Sequence, residues 1–327
     1  MRKDGKLMIL LVYVDDILLT GEDSTQISQF IQTLSQKFAL KTLGTVNFFL
    51  GIHVFKTRNN SYLLNQSKYI HDLLSKTKLL NCKSQPSPYD ISSKLSKHDS
   101  PSFSNPTLYQ STIGALQYLT LTRPDISYSV NKLSQFLKEP TENHWKACKR
   151  LLRYLKGTIN KSLIFTSSSL LHLQVFSDAD WAGSIDDRKS TGGHCVFLGP
   201  NLLSWSSKKQ SVVSRSSTES EYRSLADAAA EVVWIKSLIH ELGFSISHTP
   251  VLWCDNQSTA AIASNPVLHA RTKHIEIDTH FVRDKVLNKE LDVRYVPSED
   301  QLADVLTKPL SISRFQFLVD KYPLENG

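Results

Sequence analysis

Val175–Trp181, V-F-S-D-A-D-W, decides the fold of this chain. Leading into it, Leu171, Leu173 and Val175 alternate with polar positions, the period-two pattern of a strand with one buried face. The strand is expected to end at Asp178 and deliver its carboxylate to an open sheet edge. In open α/β sheets the ligand crevice lies beyond the carboxyl ends of strands, near the point where strand order switches. A lone strand-end aspartate is more often a solvated turn residue. Three acids further on, Glu221, Asp255 and Asp304, shift that balance.

After Asp178, Gly192–Leu198 and Leu202–Ser206 read as two more strands of a meander, turning at Gly199-Pro200-Asn201. S-S-T-E-S-E-Y-R-S-L then opens a long helix reaching Leu242. Thr218 and Glu221 have the spacing of a capping box. At 100° per residue, Glu221 also shares a stripe with Leu225, Ala228, Val232, Ile235, Ile239 and Leu242, the face that must pack on the sheet. An inward carboxylate needs a chemical reason. Glu219 falls near Arg223 and Asp227, on a side expected to stay wet, as a capping or surface residue. Val251–Cys254 is a short strand ending at Asp255, which repeats the Asp178 arrangement and would lie beside it at one sheet edge. Beyond a last alternating strand, Leu291–Val296, Ser298 and Gln301 make a second capping box that sets Asp304 early in the next helix.

A length of 327 residues allows two or three domains, each with its own core. With 40% apolar and 21% charged residues, the composition is that of folded globular chains. The longest apolar run, Leu7–Val14, is far short of the ~20 residues a bilayer requires, so no membrane span is expected. M-R-K-D-G-K-L lacks a signal-like apolar stretch, which points to an intracellular protein, cytoplasmic or nuclear and not secreted. Cys82, Cys148, Cys195 and Cys254 are too scattered for a zinc site and read as reduced thiols. The net charge of +7 suits a polyanionic partner.

Upstream, Lys6–Thr20 reads as a hairpin with Asp15-Asp16 at its tip, and Phe55–Leu64 as another around Asn59-Asn60. Asn81–Pro106, rich in Ser, Lys and Pro, is a linker or a long irregular crossing. Tyr109–Leu121 and Asp125–Leu137 have helical spacing, with Pro124 where a helix can begin. In Trp145–Gly157, Leu151, Leu152 and Leu155 form a core side. Lys146, Lys149, Arg150, Arg153 and Lys156 gather opposite, as a solvated face or a phosphate-binding one. A basic segment, 268–287, carries Arg271, Lys273, His274, His280 and Arg283. Its histidines fit packed, surface or substrate roles better than Mg²⁺ ligation, since Mg²⁺ prefers oxygen.

Ten runs, in order, resemble one family: Y-V-D-D-I-L-L-T-G, F-F-L-G-I-H-V, T-R-P-D-I-S-Y-S-V-N, R-Y-L-K-G-T, S-D-A-D-W-A-G, D-R-K-S-T-G-G, S-S-T-E-S-E-Y, D-N-Q-S, R-T-K-H-I-E-I and Q-L-A-D-V-L-T-K-P-L. The chain resembles the carboxyl-terminal part of a copia-type long-terminal-repeat retrotransposon Pol polyprotein, where reverse transcriptase precedes ribonuclease H. The resemblance implies an α/β fold: a ribonuclease H-like mixed five-stranded sheet with helices over 171–310. Ahead of it would come a truncated reverse-transcriptase palm and thumb fragment (1–80), a linker (81–106) and a helical connection (107–160).

The resemblance also implies a site of Asp178, Glu221, Asp255 and Asp304 holding two Mg²⁺ or Mn²⁺ ions. In two-metal hydrolysis, ions ~3.5–4 Å apart activate the attacking water and stabilise the leaving oxygen. The implied substrate is the RNA strand of an RNA–DNA hybrid, recognised through its 2′-hydroxyls and groove shape. Lys208, Lys209 and the basic helix from Lys146 to Lys156 are the implied contacts. Unlike many ribonucleases H, the loop before the last acid reads R-Y-V-P-S-E-D and has no histidine. Tyr13-Val14-Asp15-Asp16 is similar to the Y-x-D-D motif whose first acid binds a polymerase metal. With the upstream palm strand and fingers expected to be missing, Asp15 and Asp16 read as a polymerase remnant, inactive unless those subdomains are supplied in trans. The alternative to a hybrid-cleaving enzyme is a noncatalytic nucleic-acid-binding relic of a decayed element.

Overall fold

In the computed structural model, which describes residues 2–3, 6–169, 171–246, 248–264 and 275–326, the chain begins with strands β1 (Arg2–Lys3), β2 (Lys6–Tyr13) and β3 (Asp16–Gly21), then helix α1 (Ser24–Lys37). β2 and β3 form the expected hairpin with its tip one residue earlier, at Val14-Asp15: Tyr13 faces Asp16, which opens β3, and Val14 adopts φ 50°. Asp23 caps α1 by accepting from Thr25 N and Gln26 N, yet α1 buries no residue. Among the described residues, these elements contribute one buried hydrophobic side chain, Met8.

Next come β4 (Phe48–Phe49), β5 (Ile52–Lys56), β6 (Tyr62–Asn65) and α2 (Ser67–Lys76). Asn60 turns the β5–β6 hairpin at φ 58°, as its tolerance of left-handed backbone predicts. Gly51 is required twice over: its φ is 72°, and a Cβ there would stand 2.7 Å from the Tyr118 hydroxyl. Residues 81–106 are irregular but not loose, since Tyr89, Leu95 and Phe103 are buried.

Helix α3 (Pro106–Leu119) starts with Asn105 as cap and Pro106 in its first turn. The helix expected over Asp125–Leu137 is instead a 3₁₀ turn, Pro124–Ile126, followed by α4 (Ser127–Ser134). A buried ion pair fixes that break. Arg123 donates to both carboxylate oxygens of Asp125 at 2.9 and 2.7 Å, and to Thr158 O at 3.0 Å. Tyr154 completes it with a 2.6 Å bond to Asp125. Both Tyr154 and Thr158 come from the end of α5 (Glu142–Gly157) and its cap, so the ion pair joins α4 to α5.

β7 (Lys161–Phe165) leads to β8 (Leu173–Asp180), β9 (Thr191–Leu198) and β10 (Asn201–Lys209), an antiparallel meander. Then follow α6 (Ser217–Glu241), β11 (Val251–Cys254), α7 (Gln257–Ser264), α8 (Glu276–Leu287), β12 (Asp292–Tyr295), α9 (Asp304–Thr307), α10 (Ile312–Val319) and β13 (Leu324–Asn326). The central sheet runs β10-β9-β8-β11-β12, with β8, β11 and β12 parallel. This is the ribonuclease H-like mixed five-stranded sheet the resemblance implied. Leu225, Ala228, Val232 and Ile235 of α6 cover one face through Val175, Val196 and Leu252. Cys195, Phe197 and Leu202 belong instead to a core shared with α3, α4, α5 and α10.

Two strand limits differ from expectation. β8 continues past Asp178 because β9 pairs with it as far as Asp180 and Thr191, and β10 continues to Lys209 for the same reason. A second five-stranded sheet, β13-β7-β6-β5-β4, was not anticipated. It joins residues 48–65 to 161–165 and 324–326, and pairing across such sequence distances leaves no local signature.

Candidate metal centre

Two adjacent glycines shape the site. Gly192 faces α6: a Cβ there would lie 2.4 Å from Ser224 Oγ. Gly193 is opposite Asp178 in the β8–β9 ladder, and a Cβ on it would meet Ser206 O at 2.8 Å and Thr307 Cγ2 at 2.9 Å. Side chains at these positions would push α6 and α9 away from β9. Their absence brings Glu221 and Asp304 towards Asp178.

One carboxylate oxygen from each of Asp178, Asp255 and Asp304 lies within 4.8 Å of the others. Asp178 and Asp304 are buried; Asp255 is half-buried. Asp178 accepts from the Thr307 hydroxyl, while Gln301 Nε2 donates to Ser177 O at 2.9 Å, so the 301–307 segment is tied to β8. Ser298 Oγ donates to Asp255 at 2.9 Å. The expected capping box of Ser298 and Gln301 does not form. Residues 298–300 make a 3₁₀ turn, both side chains bond elsewhere, and Asp304 opens a four-residue helix.

Glu221 is buried, and its Oε2 has no hydrogen-bond partner. Burial, then the charges of Asp178 and Asp255, push its carboxyl well above the usual range. Burial and Asp178 likewise raise Asp304 to about 6. Burial opposes the charge of Lys308, but Asp178 and Asp304 outweigh it and hold the ammonium above its ordinary range. Glu219 corrects the expectation that its side of α6 stays wet, while the inward stripe through Glu221 is as expected. Glu219 is buried at 2% exposure rather than wet, accepting from Arg215 N and pairing with Arg223 at 3.0 Å. Ser216, not Thr218, is the N-cap, so Glu219 occupies the third helical position and the 218–221 box is absent.

Clustered carboxylates, one with an uncompensated buried oxygen, form an all-oxygen donor set that fits hard divalent cations such as Mg²⁺ or Mn²⁺. Asp15, in the β2–β3 tip, and Asp16, the first residue of β3, are exposed and do not join this cluster. The basic helix is less free than its sequence suggested. Lys146 and Lys149 are exposed, but Arg150 bonds to Ser87 and Asp90 at 3.0 and 3.5 Å. Arg153 donates to Lys83 O at 2.7 Å, and Lys156 to Cys82 O. Three of the five cations thus hold the 82–90 segment, whose carbonyls lack secondary-structure partners. Lys208 is exposed, while Lys209 pairs with Asp187 at 2.8 Å. His280 and Arg283 lie on α8; Arg271, Lys273 and His274 lie outside the described residues. Sequence reasoning missed Thr307, Lys308 and Arg314. Only Lys308 left a signal, its i+4 spacing from Asp304.

This sheet order and acidic edge define the class: a ribonuclease H-like α/β unit, preceded here by a reverse-transcriptase-type segment. Residues 1–90 match the family described as reverse transcriptase (RNA-dependent DNA polymerase). The retrovirus-related Pol polyprotein from transposon RE2 of Arabidopsis thaliana is 46% identical over 316 residues, 97% of this chain and 22% of the relative. An uncharacterized mitochondrial protein of the same plant is 49% identical over 229 residues, 69% of this chain and 94% of that protein. The chain therefore belongs to the copia-type retrotransposon Pol family, and it spans about a fifth of the length of the Pol polyprotein it matches. Among solved structures, the foamy viral protease-reverse transcriptase in complex with RNA/DNA hybrid is similar at 14% identity and TM-score 0.47, covering 92% of this chain and 37% of that one.

Proposed function

We propose that this chain hydrolyses the RNA strand of RNA–DNA hybrids at the Asp178, Glu221, Asp255 and Asp304 site. The observation that carries the reading is the convergence of three carboxylates within 4.8 Å beside the unpartnered Glu221 oxygen. Two divalent ions held there would supply an activated water and charge stabilisation at the leaving oxygen. Asp178 and Asp304 hold the buried side of the centre, Asp255 holds its open side, and Glu221 offers an inward oxygen. Thr307 and Ser298 fix two of the carboxylates and so limit their reorganisation. Exposed Lys146, Lys149 and Lys208 are available to backbone phosphates, which contribute affinity without sequence preference. The test is a labelled RNA–DNA hybrid incubated with purified chain and Mg²⁺ or Mn²⁺, with and without chelator. Metal-dependent cleavage of the RNA strand, lost in Asp255→Asn, is expected. Hybrid binding by the folded chain without cleavage under either metal would overturn the enzymatic reading in favour of a noncatalytic relic.

A further inference from the structure

Pro309 disfavours helix at the residue before it, so α9 stops at Thr307 and Lys308 is extended, at φ −139° and ψ 157°. That turn sends its side chain back along the helix into the acidic cluster. Lys308 Nζ lies 3.3 and 3.2 Å from the two oxygens of Asp178 and 2.9 Å from Asp304 Oδ1. Asp304 Oδ2 is 3.4 Å from Arg314. Among the described residues, Lys308 is the one cation whose nitrogen bridges two carboxylates of the centre.

We propose that Lys308 is a positioning residue acting as the site's internal counter-cation. It draws Asp178 and Asp304 together before divalent ions arrive and must leave at least one of them when those ions bind. The argument is one of shared lone pairs. An ammonium within about 3 Å of a carboxylate takes up electron density that a divalent cation also requires. Its side chain is 30% exposed, so it has solvent into which to withdraw. The cluster is therefore assembled without metal, at the cost of weaker metal binding.

This inference rests on the metal-centre reading above, and its test separates the two. Mn²⁺ binding to the full chain, without nucleic acid, is measured by titration calorimetry for wild type, Lys308→Met and Lys308→Arg, with thermal unfolding of each in chelator. Lys308→Met should bind Mn²⁺ at least about tenfold more tightly and unfold at lower temperature in chelator. Lys308→Arg, which keeps the charge, should stay within about twofold of wild type in affinity. If Lys308→Met does not fold, Lys308→Gln replaces it with the same expectation. Equal affinity in wild type and the neutral variant overturns the counter-cation role and leaves the metal centre standing. Absence of Mn²⁺ binding in every variant overturns both.

Discussion

Glu221→Gln should stabilise the metal-free protein while abolishing cleavage. Glu221 is 7% exposed, its Oε2 has no partner, and Asp178 and Asp255 face it with like charge. A buried polar group left unsatisfied costs about 1–3 kcal/mol, more when charged. Gln is isosteric, keeps an acceptor for the Ala179 N–H and carries no charge. Removing the charge should therefore raise stability by about 1–3 kcal/mol in chelator at neutral pH, a rise of a few degrees at ~2–4 °C per kcal/mol for chains of this general size. The pH dependence is specific. Because the folded-state carboxyl titrates well above its ordinary 4.5, the folded form holds its proton longer than the unfolded form does. Wild-type stability relative to the variant thus falls as pH rises above about 4.5, and the difference closes below it, where both states are protonated. Urea unfolding in chelator across that range reads the effect. With Mg²⁺ present the order should shift back, since a ligand that binds only the folded state stabilises it by mass action and the variant lacks one donor. A variant less stable than wild type in chelator at neutral pH would refute the reasoning and make Glu221 a structural acid.

Arg123→Met should cost about 3–5 kcal/mol, because it strands Asp125 at 1% exposure without its cation; Arg123→Met with Asp125→Leu should cost much less than the sum of the single changes in a urea double-mutant cycle. Asp178→Asn should lose detectable hybrid cleavage and the Mn²⁺-induced rise in unfolding temperature while keeping its circular dichroism, and retention of the Mn²⁺ effect would remove Asp178 from the metal set. Lys146→Gln with Lys149→Gln should flatten the salt dependence of hybrid binding by about 0.9 per lost contact, whereas Arg150→Gln with Arg153→Gln should chiefly lower the unfolding temperature by freeing the 82–90 segment. Deleting residues 1–44 should leave a soluble, folded chain, since only Met8 is buried there among the described residues; deleting 1–106 should precipitate it by stripping Ile70, Leu73, Leu74, Tyr89, Leu95 and Phe103 from the core.

What the sequence disclosed was whatever is encoded locally. The alternation ending in V-F-S-D predicted the strand that carries Asp178, and the apolar stripe of α6 placed Glu221 on the buried face. The same logic failed two residues earlier, at Glu219. A buried acid satisfied by a backbone N–H and an arginine four residues on has the sequence appearance of a surface i,i+4 pair. The basic face of α5 misled in a related way. Arg150 and Arg153 sit where a solvated helix would place them, but the irregular 82–90 chain lies over them and uses them as hydrogen-bond donors. Nothing within α5 records that arrival. Pairing of β7 with β6 and β13 was likewise invisible, since ladders between residues about 100 and about 160 positions apart are specified by the assembled core rather than by any one strand alone.

Gly192 and Gly193 show how the candidate centre is specified by residues without chemistry of their own. Each acid sits on a separate element, and for Asp178, Glu221 and Asp304 the separation of those elements is set where β8, α6 and α9 touch β9, while Asp255 follows β11 on the other side of β8. A methyl at Gly192 would press on α6 through Ser224, and one at Gly193 would press on α9 through Thr307. Displacing α9 would lengthen the contacts of Thr307 and Lys308 with Asp178 together, because both ride on the same short segment. The positions of Glu221 and Asp304 thus depend on two missing side chains, and the Asp178, Asp255 and Asp304 oxygens held within 4.8 Å tolerate little outward movement of α9. The D-R-K-S-T-G-G run, seven residues without a carboxylate at the centre, is therefore as much a part of the site as the acids it lets approach.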